Sequence, residues 1–222
     1  MGLILNIETA TKSCSVALAK DGHLLDCIEE VSEKYSHAEQ LTVFIEDILA
    51  KQQLSTHDLD AVAISSGPGS YTGLRIGVST AKGLCYALDI PLISVSTLEA
   101  MAQLKKNDFP EHSLCPMIDA RRMEVYCALF GKQHSPVCAK VIEEDSFAAE
   151  LENGPILFFG DGADKCQETL THPNAQFELG VFPSARGMLK LAHQKFSQKQ
   201  FEDVAYYQPF YLKEFVAGVK KK

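Results

Sequence analysis

The stretch from Ser65 to Leu84, SSGPGSYTGLRIGVSTAKGL, limits what this chain can fold into more than any other. An apolar run, Ala61 to Ile64, leads into Gly67-Pro68-Gly69, residues that neither prolong a strand easily nor sit mid-helix. Ser70 follows with a hydroxyl suited to cap a helix N-terminus. The stretch therefore predicts strand, tight turn and helix. From Tyr71 onward Gly73, Gly77 and Ala81 recur every four residues and share one helix face. Ser79, Gly83 and Ala87 form a second row of small residues. Each helix-interior glycine costs about 1 kcal/mol against alanine, and close approach of another backbone offsets that cost. Two packings supply such an approach: the chain's own sheet, or a second chain. Spacing alone leaves both open.

A glycine turn before a helix also suits an anion, but the phosphate motifs are missed. Leu74-Arg75 stands after Gly73 where a P-loop has Lys-Ser/Thr, and Gly67, Gly69 and Gly73 are one residue out of the dinucleotide fingerprint. Gly67-Pro68-Gly69-Ser70 is not a nucleophile elbow either.

Before this stretch the chain reads as a meander. Leu3 to Ile7, Cys14 to Ala19 and His23 to Val31 are strands, with Asp21-Gly22 a hairpin turn. Ser36-His37-Ala38-Glu39 has the form of a capping box, opening a helix whose apolar face is Leu41, Phe44, Ile45, Ile48 and Leu49. His37 is expected at the surface. Asp60 to Ile64 and Pro91 to Val95 are strands, and Thr97 to Lys105 is a helix. The first half runs β-β-β-α-β-α-β-α. A polar linker with Pro110 spans Asn107 to His112. Beyond it, strands are expected at Leu114 to Ile118, Met123 to Phe130, Val137 to Ile142 and Pro155 to Phe159. Helices are expected at Ser146 to Leu151, up to about Leu170, and at Ser184 to Phe196. Tyr206 to Leu212 closes the chain as an extended segment. The similar order of the halves suggests a duplicated α/β architecture.

With 222 residues, the chain makes one large domain or two small ones. No run reaches the roughly 18 apolar residues of a membrane helix, and the first ten residues lack the pattern of a secretory signal. Seven widely spaced cysteines without a C-x-x-C fit reduced thiols in a cytosol. A net charge of −8 disfavours direct binding of nucleic acid, which depends on phosphate contacts. The one basic cluster, Lys220 to Lys222, reads as a solvated tail.

Five segments in this order, ILNIETATKSCSVAL, SHAEQL, the Ser65 to Leu84 run, DARRMEVY from Asp119 and QPFYLKE from Gln208, closely resemble the TsaB (YeaZ) family. The resemblance spans nearly the whole chain. It implies a two-domain α/β protein with mixed sheets and the actin-like (ASKHA, ribonuclease H-like) fold. One domain would cover residues 1–106 and the other 107–222. It also implies a role in making threonylcarbamoyladenosine on tRNA, as partner of the related transferase subunit TsaD and, through the complex, of the ATPase TsaE.

TsaD carries an H-x-x-x-H metal motif on the helix after the strand matching Ile93 to Val95. Here Thr97 and Met101 stand at those positions, and neither is a good ligand for a hard or borderline divalent metal. No catalytic, cofactor or metal residues are expected. The turn Glu8 to Ser13 resembles the superfamily's phosphate turn without its full polar set. Gly160-Asp161-Gly162 reads first as a strand-to-helix turn. Asp119 and Glu124 read as a turn-opening and a surface acid rather than a catalytic pair. The expected role is a cytoplasmic, non-catalytic scaffold that pairs with a TsaD-like paralogue, meets tRNA only indirectly and self-associates when alone. The rivals are an actin-like nucleotide hydrolase, a glycoprotease-like peptidase and a direct tRNA binder. The resemblance implies a four-helix contact. Its expected residues are Tyr71, Thr72, Gly73, Leu74, Arg75, Gly77 and Ala81 on one helix with Leu41, Phe44 and Ile45 on the other.

Overall fold

A computed structural model describes residues 2–32 and 37–213. The antiparallel meander forms as expected from β1 (Leu3–Glu8), β2 (Ser13–Lys20) and β3 (His23–Val31). Asp21 and Gly22 turn the hairpin with φ of 52° and 79°, the left-handed pair that a two-residue hairpin requires. Next come α1 (His37–Lys51), β4 (Ala61–Ser65), α2 (Tyr71–Leu88), β5 (Leu92–Val95) and α3 (Thr97–Lys105). Ser36 of the expected capping box and the Lys220 to Lys222 tail lie outside the described residues, as does Glu214 of the QPFYLKE segment. At α2 the cap is in place: Ser70 Oγ accepts the Gly73 N–H at 3.3 Å. The strand order is β3-β2-β1-β4-β5, with β1, β4 and β5 parallel.

The second half contains β6 (Ser113–Asp119), β7 (Glu124–Cys127), β8 (Phe130–Gly131), β9 (Cys138–Val141), α4 (Ala148–Glu152), β10 (Ile156–Phe159), β11 (Ala175–Glu178) and α5 (Leu189–Ser197). Its order is β11-β10-β6-β7-β9, with β8 also on β6. Read from the other edge, this repeats the first sheet: β6 and β7 are antiparallel like β1 and β2, and β6, β10 and β11 are parallel like β1, β4 and β5. The duplication expected from element order is therefore present in the topology.

The sequence reading differs here in three places. The single strand expected from Met123 to Phe130 is two, although β7 and β8 keep one register along β6. The ladder breaks opposite Cys115-Pro116, where proline has no N–H to donate. β11 was not anticipated, because four residues carry too little periodicity. The helix expected up to Leu170 is only a 3-10 turn, Asp164–Cys166.

The layers alternate. One face of the first sheet (Leu5, Ile7, Val16, Leu18, Val62, Ile64) packs under α1 and α2. Its other face, through Ile4, Ala17, Ala63 and Ile93, packs on Ala185, Met188, Leu189 and Ala192. Leu98, Met101 and Ala102 of α3 lie on the second sheet with Leu114, Ile118, Leu157 and Phe159. The far face of that sheet is closed by Ile142, Phe147, Leu151 and Leu170. Each half thus lends its last helix to the space between the sheets. Dividing the chain at 106/107 assigns Ser184 to Phe196 to the second domain, but those residues pack on the first sheet.

Candidate functional site

The glycine row of α2 meets the chain's own loop. A Cβ on Gly73 would fall well inside contact distance of the Thr9 carbonyl. One on Gly77 would overlap Thr9 Oγ1 and come within 2.8 Å of Ile64 Cδ1. Thr9 Oγ1 donates to the Gly73 carbonyl at 2.9 Å, and Ala81 is fully buried. Of the two packings that the spacing left open, the chain's own core takes this row. The expected interface residues therefore divide. Leu41, Ile45, Gly73, Leu74, Gly77 and Ala81 are buried within the chain and pack into its own core. Phe44 and Tyr71 are half-buried, and Thr72 and Arg75 are exposed.

The outer face of α2 carries the second small row. Ser79, Gly83 and Ala87 are exposed, and a Cβ on Gly83 would meet nothing within 4 Å. Tyr86 beside them is 86% exposed. On α1, Thr42, Val43, Glu46 and Asp47 face solvent. The Arg75 guanidinium lies over the Tyr71 ring, 4.1 Å from its centroid. The two rows share residue types and spacing, so the sequence does not distinguish the one that faces outward.

His37 is corrected. It is 1% exposed, and Nε2 sits 2.7 Å from the Thr11 carbonyl, tying the start of α1 to the loop after β1. Thr97 and Met101 are both buried. The Gly67 N–H donates to Thr97 Oγ1 at 3.2 Å, and the Met101 methyl lies where a Cβ on Gly160 would come within 2.8 Å. Both side chains thus hold a glycine turn in place.

Between the halves opens a cleft of about 410 Å³. Thr11, Gly69 and Ser70 line it from the first half, Asp119, Arg121 and Asp161 from the second, with Tyr211 and Lys213 from the closing segment. The two glycine turns face each other across pseudo-equivalent positions. Gly69 abuts the Ala10 carbonyl at the end of β1, and Gly162 abuts Ile118 and Asp119 at the end of β6. Asp161 accepts the Asp119 N–H at 3.1 Å, and burial lifts its carboxyl to about 6. Asp119 accepts the Arg121 N–H at 2.9 Å and pairs with Lys165, while Glu124 pairs with Lys213. The two acids therefore have separate cations, in keeping with a turn-opening Asp and a strand Glu. Glu8, at the turn resembling a phosphate loop, is wholly buried and accepts the Ala10 N–H at 2.6 Å. Burial raises its carboxyl to about 7. Among the described residues, no three His, Cys, Asp or Glu side chains converge as metal ligands do, and no helix is long and apolar enough to cross a membrane.

The family profile described as TsaD, tRNA N6-adenosine threonylcarbamoyltransferase, matches residues 30–207. The tRNA threonylcarbamoyladenosine biosynthesis protein TsaB of Escherichia coli is 32% identical, over 98% of this chain and 97% of that one. Its counterpart in Haemophilus influenzae is 30% identical, over 98% and 96%. The crystal structure of YeaZ from Pseudomonas aeruginosa superposes with a TM-score of 0.84 at 28% identity, covering 96% of this chain and all of that one. Component A of the (R)-2-hydroxyglutaryl-CoA dehydratase of Acidaminococcus fermentans, at 9% identity and a TM-score of 0.52, covers 90% of this chain and all of that one; it shares the fold alone. The two mixed sheets have the actin-like fold, and the chain belongs to the TsaB (YeaZ) family of tRNA threonylcarbamoyladenosine biosynthesis proteins.

Proposed function

We propose that this chain is a non-catalytic scaffold subunit for threonylcarbamoyladenosine formation on tRNA, and that it docks a TsaD-like paralogue carrying the transferase site. The observation that carries this reading is the use of Thr97 and Met101. Both stand at positions expected to hold metal-binding histidines in the catalytic relative, and both are packed away supporting glycine turns. A TsaE-like ATPase joins through the complex, and tRNA is met by the assembly rather than by this acidic chain alone. Its place is the cytoplasm.

The docking surface is the outer face of α1 and α2. Thr72 and Arg75 remain from the residues expected by sequence, and Ser79, Gly83 and Ala87 replace the buried row. A small-residue row lets a partner helix approach closely, and Val43 and Tyr86 supply apolar area beside it. The same face pairs with its own copy when no partner is present, as an isologous contact. Gly83→Leu is the test. A Cβ there meets nothing within 4 Å in the chain itself, and losing a helix-interior glycine favours the helix, so circular dichroism should stay unchanged and the melting temperature should hold or rise. Association with the TsaD-like subunit, followed by light scattering, should weaken by about tenfold or more, an effect of roughly 1.4 kcal/mol. Unchanged association places the interface elsewhere. Threonylcarbamoyl transfer or ATP turnover by the isolated chain overturns the scaffold reading.

A further inference from the structure

Five of the seven cysteines are buried, and the two half-buried ones differ in their company. Cys27 lies beside Ser15 and Glu29. Cys138 sits on β9 directly opposite Cys127 of β7, with their sulfurs 3.9 Å apart. The Met123 carbonyl accepts the Ile142 N–H at 2.8 Å, so alternate pairs along this ladder, Cys127 and Cys138 among them, are of the hydrogen-bonded type. Such pairs hold their Cα atoms about 5.5 Å apart, inside the usual disulfide range of roughly 4.4–6.8 Å. Lys140, two residues along β9, projects on the same face as Cys138 and is anchored over the Phe147 ring at 4.2 Å. Cys115 on β6, diagonal to Cys127 in the ladder, is close enough to hydrogen-bond its sulfur.

We propose that Cys127 and Cys138 form a thiol pair that hydrogen peroxide oxidises to a cross-strand disulfide. Cys138 reaches solvent and reacts first. Its sulfur attacks the peroxide, an S–O bond forms, the O–O bond breaks, and the thiol proton leaves in water. Cys127 then attacks the Cys138 sulfur; the S–S bond forms, the S–O bond breaks, and hydroxide takes the second thiol proton to leave as water. Two thiols lose two electrons, and one peroxide becomes two waters. The hydrogen bond from Cys115 lowers the Cys127 thiol and suits it to the second step. Burial lifts Cys138 to about 11, so the first step is slow at neutral pH and quickens as pH rises. The bond would staple β9 to β7, the strand that leaves the turn bringing Asp119 and Arg121 to the cleft.

The test is hydrogen peroxide added to the reduced full-length chain, followed by thiol counting in denaturant and peptide mass mapping. The seven thiols should fall to five, with a monomeric product two hydrogens lighter and a Cys127–Cys138 linked peptide. Dithiothreitol should reverse it. Between pH 7 and 9 the rate should rise by about tenfold per unit. Cys138→Ser should abolish the product, and Cys27→Ser should leave it intact. A disulfide between other cysteines, a dimer linked through Cys138, or Cys138 oxidised to sulfinic acid without a disulfide overturns the proposal.

Discussion

The two halves share one frame and differ in what covers it. Each has two antiparallel strands and a third beside them, then two parallel strands, and each ends its fourth strand in a glycine turn set against the end of its first. The first half covers its outer face with helices of 15 and 18 residues. The second uses a helix of five residues and a 3-10 turn at the equivalent places. Only the first half thus offers a long regular surface with an outer side still exposed. The difference also explains the glycines. A long helix laid directly across the loop after β1 needs Gly73 and Gly77 to clear Thr9, whereas a short turn clears its loop without them. A duplicated frame has been turned to separate ends: one half built around close helix packing, the other around a hairpin and loops that shape the cleft.

The comparison breaks first at Gly77. Replacing it with leucine should destabilise the chain by about 3 kcal/mol or more, because the Cβ itself overlaps Thr9 before the rest of the side chain is placed. Urea denaturation monitored by circular dichroism would show it, and a shift of under 1 kcal/mol would mean that α2 can lift off its loop.

Glu8 sharpens the contrast between the two cleft walls. Its carboxyl is lifted from 4.5 to about 7 in the fold. A raised acid pKa means that the folded state holds the proton longer than the unfolded state does. Stability is therefore full below about pH 4.5, falls as pH rises towards 7, and is level above that. The loss is on the order of 3 kcal/mol. Glu8→Gln should flatten this profile, improving stability at pH 8 relative to pH 4 in paired denaturation series. A parallel pH dependence in both proteins would remove Glu8 as the source. The strap across the cleft should matter least. Lys213 pairs with Glu124 of the second half while the Tyr211 ring packs at a tilt of 40° against Tyr71 of the first, with centroids 4.9 Å apart. Because the ion pair is partly exposed, Lys213→Ala should cost no more than about 1 kcal/mol. Its effect should be larger on hydrogen exchange in 119–126 than on the global melt; the reverse would make the strap a general stabiliser.

Sequence by itself determined the order of elements in the first half. Period-two runs, the Asp21-Gly22 turn and the helical spacing behind Leu41 are local signals, and each acts within a few residues. It also determined the family, since the Ser65 to Leu84 run and its companions occur in fixed order. The tertiary structure decided which small-residue row of α2 is buried. Both rows have the same residue types and the same four-residue spacing. Only the position of Thr9, more than sixty residues earlier in the chain, selects Gly73, Gly77 and Ala81 for the core and leaves Ser79, Gly83 and Ala87 outside. The same holds for the last helix: its apolar positions were legible, but not which sheet would bury them. Local patterns record that a face must leave water, and the partner that accepts it is fixed by contacts between residues distant in sequence.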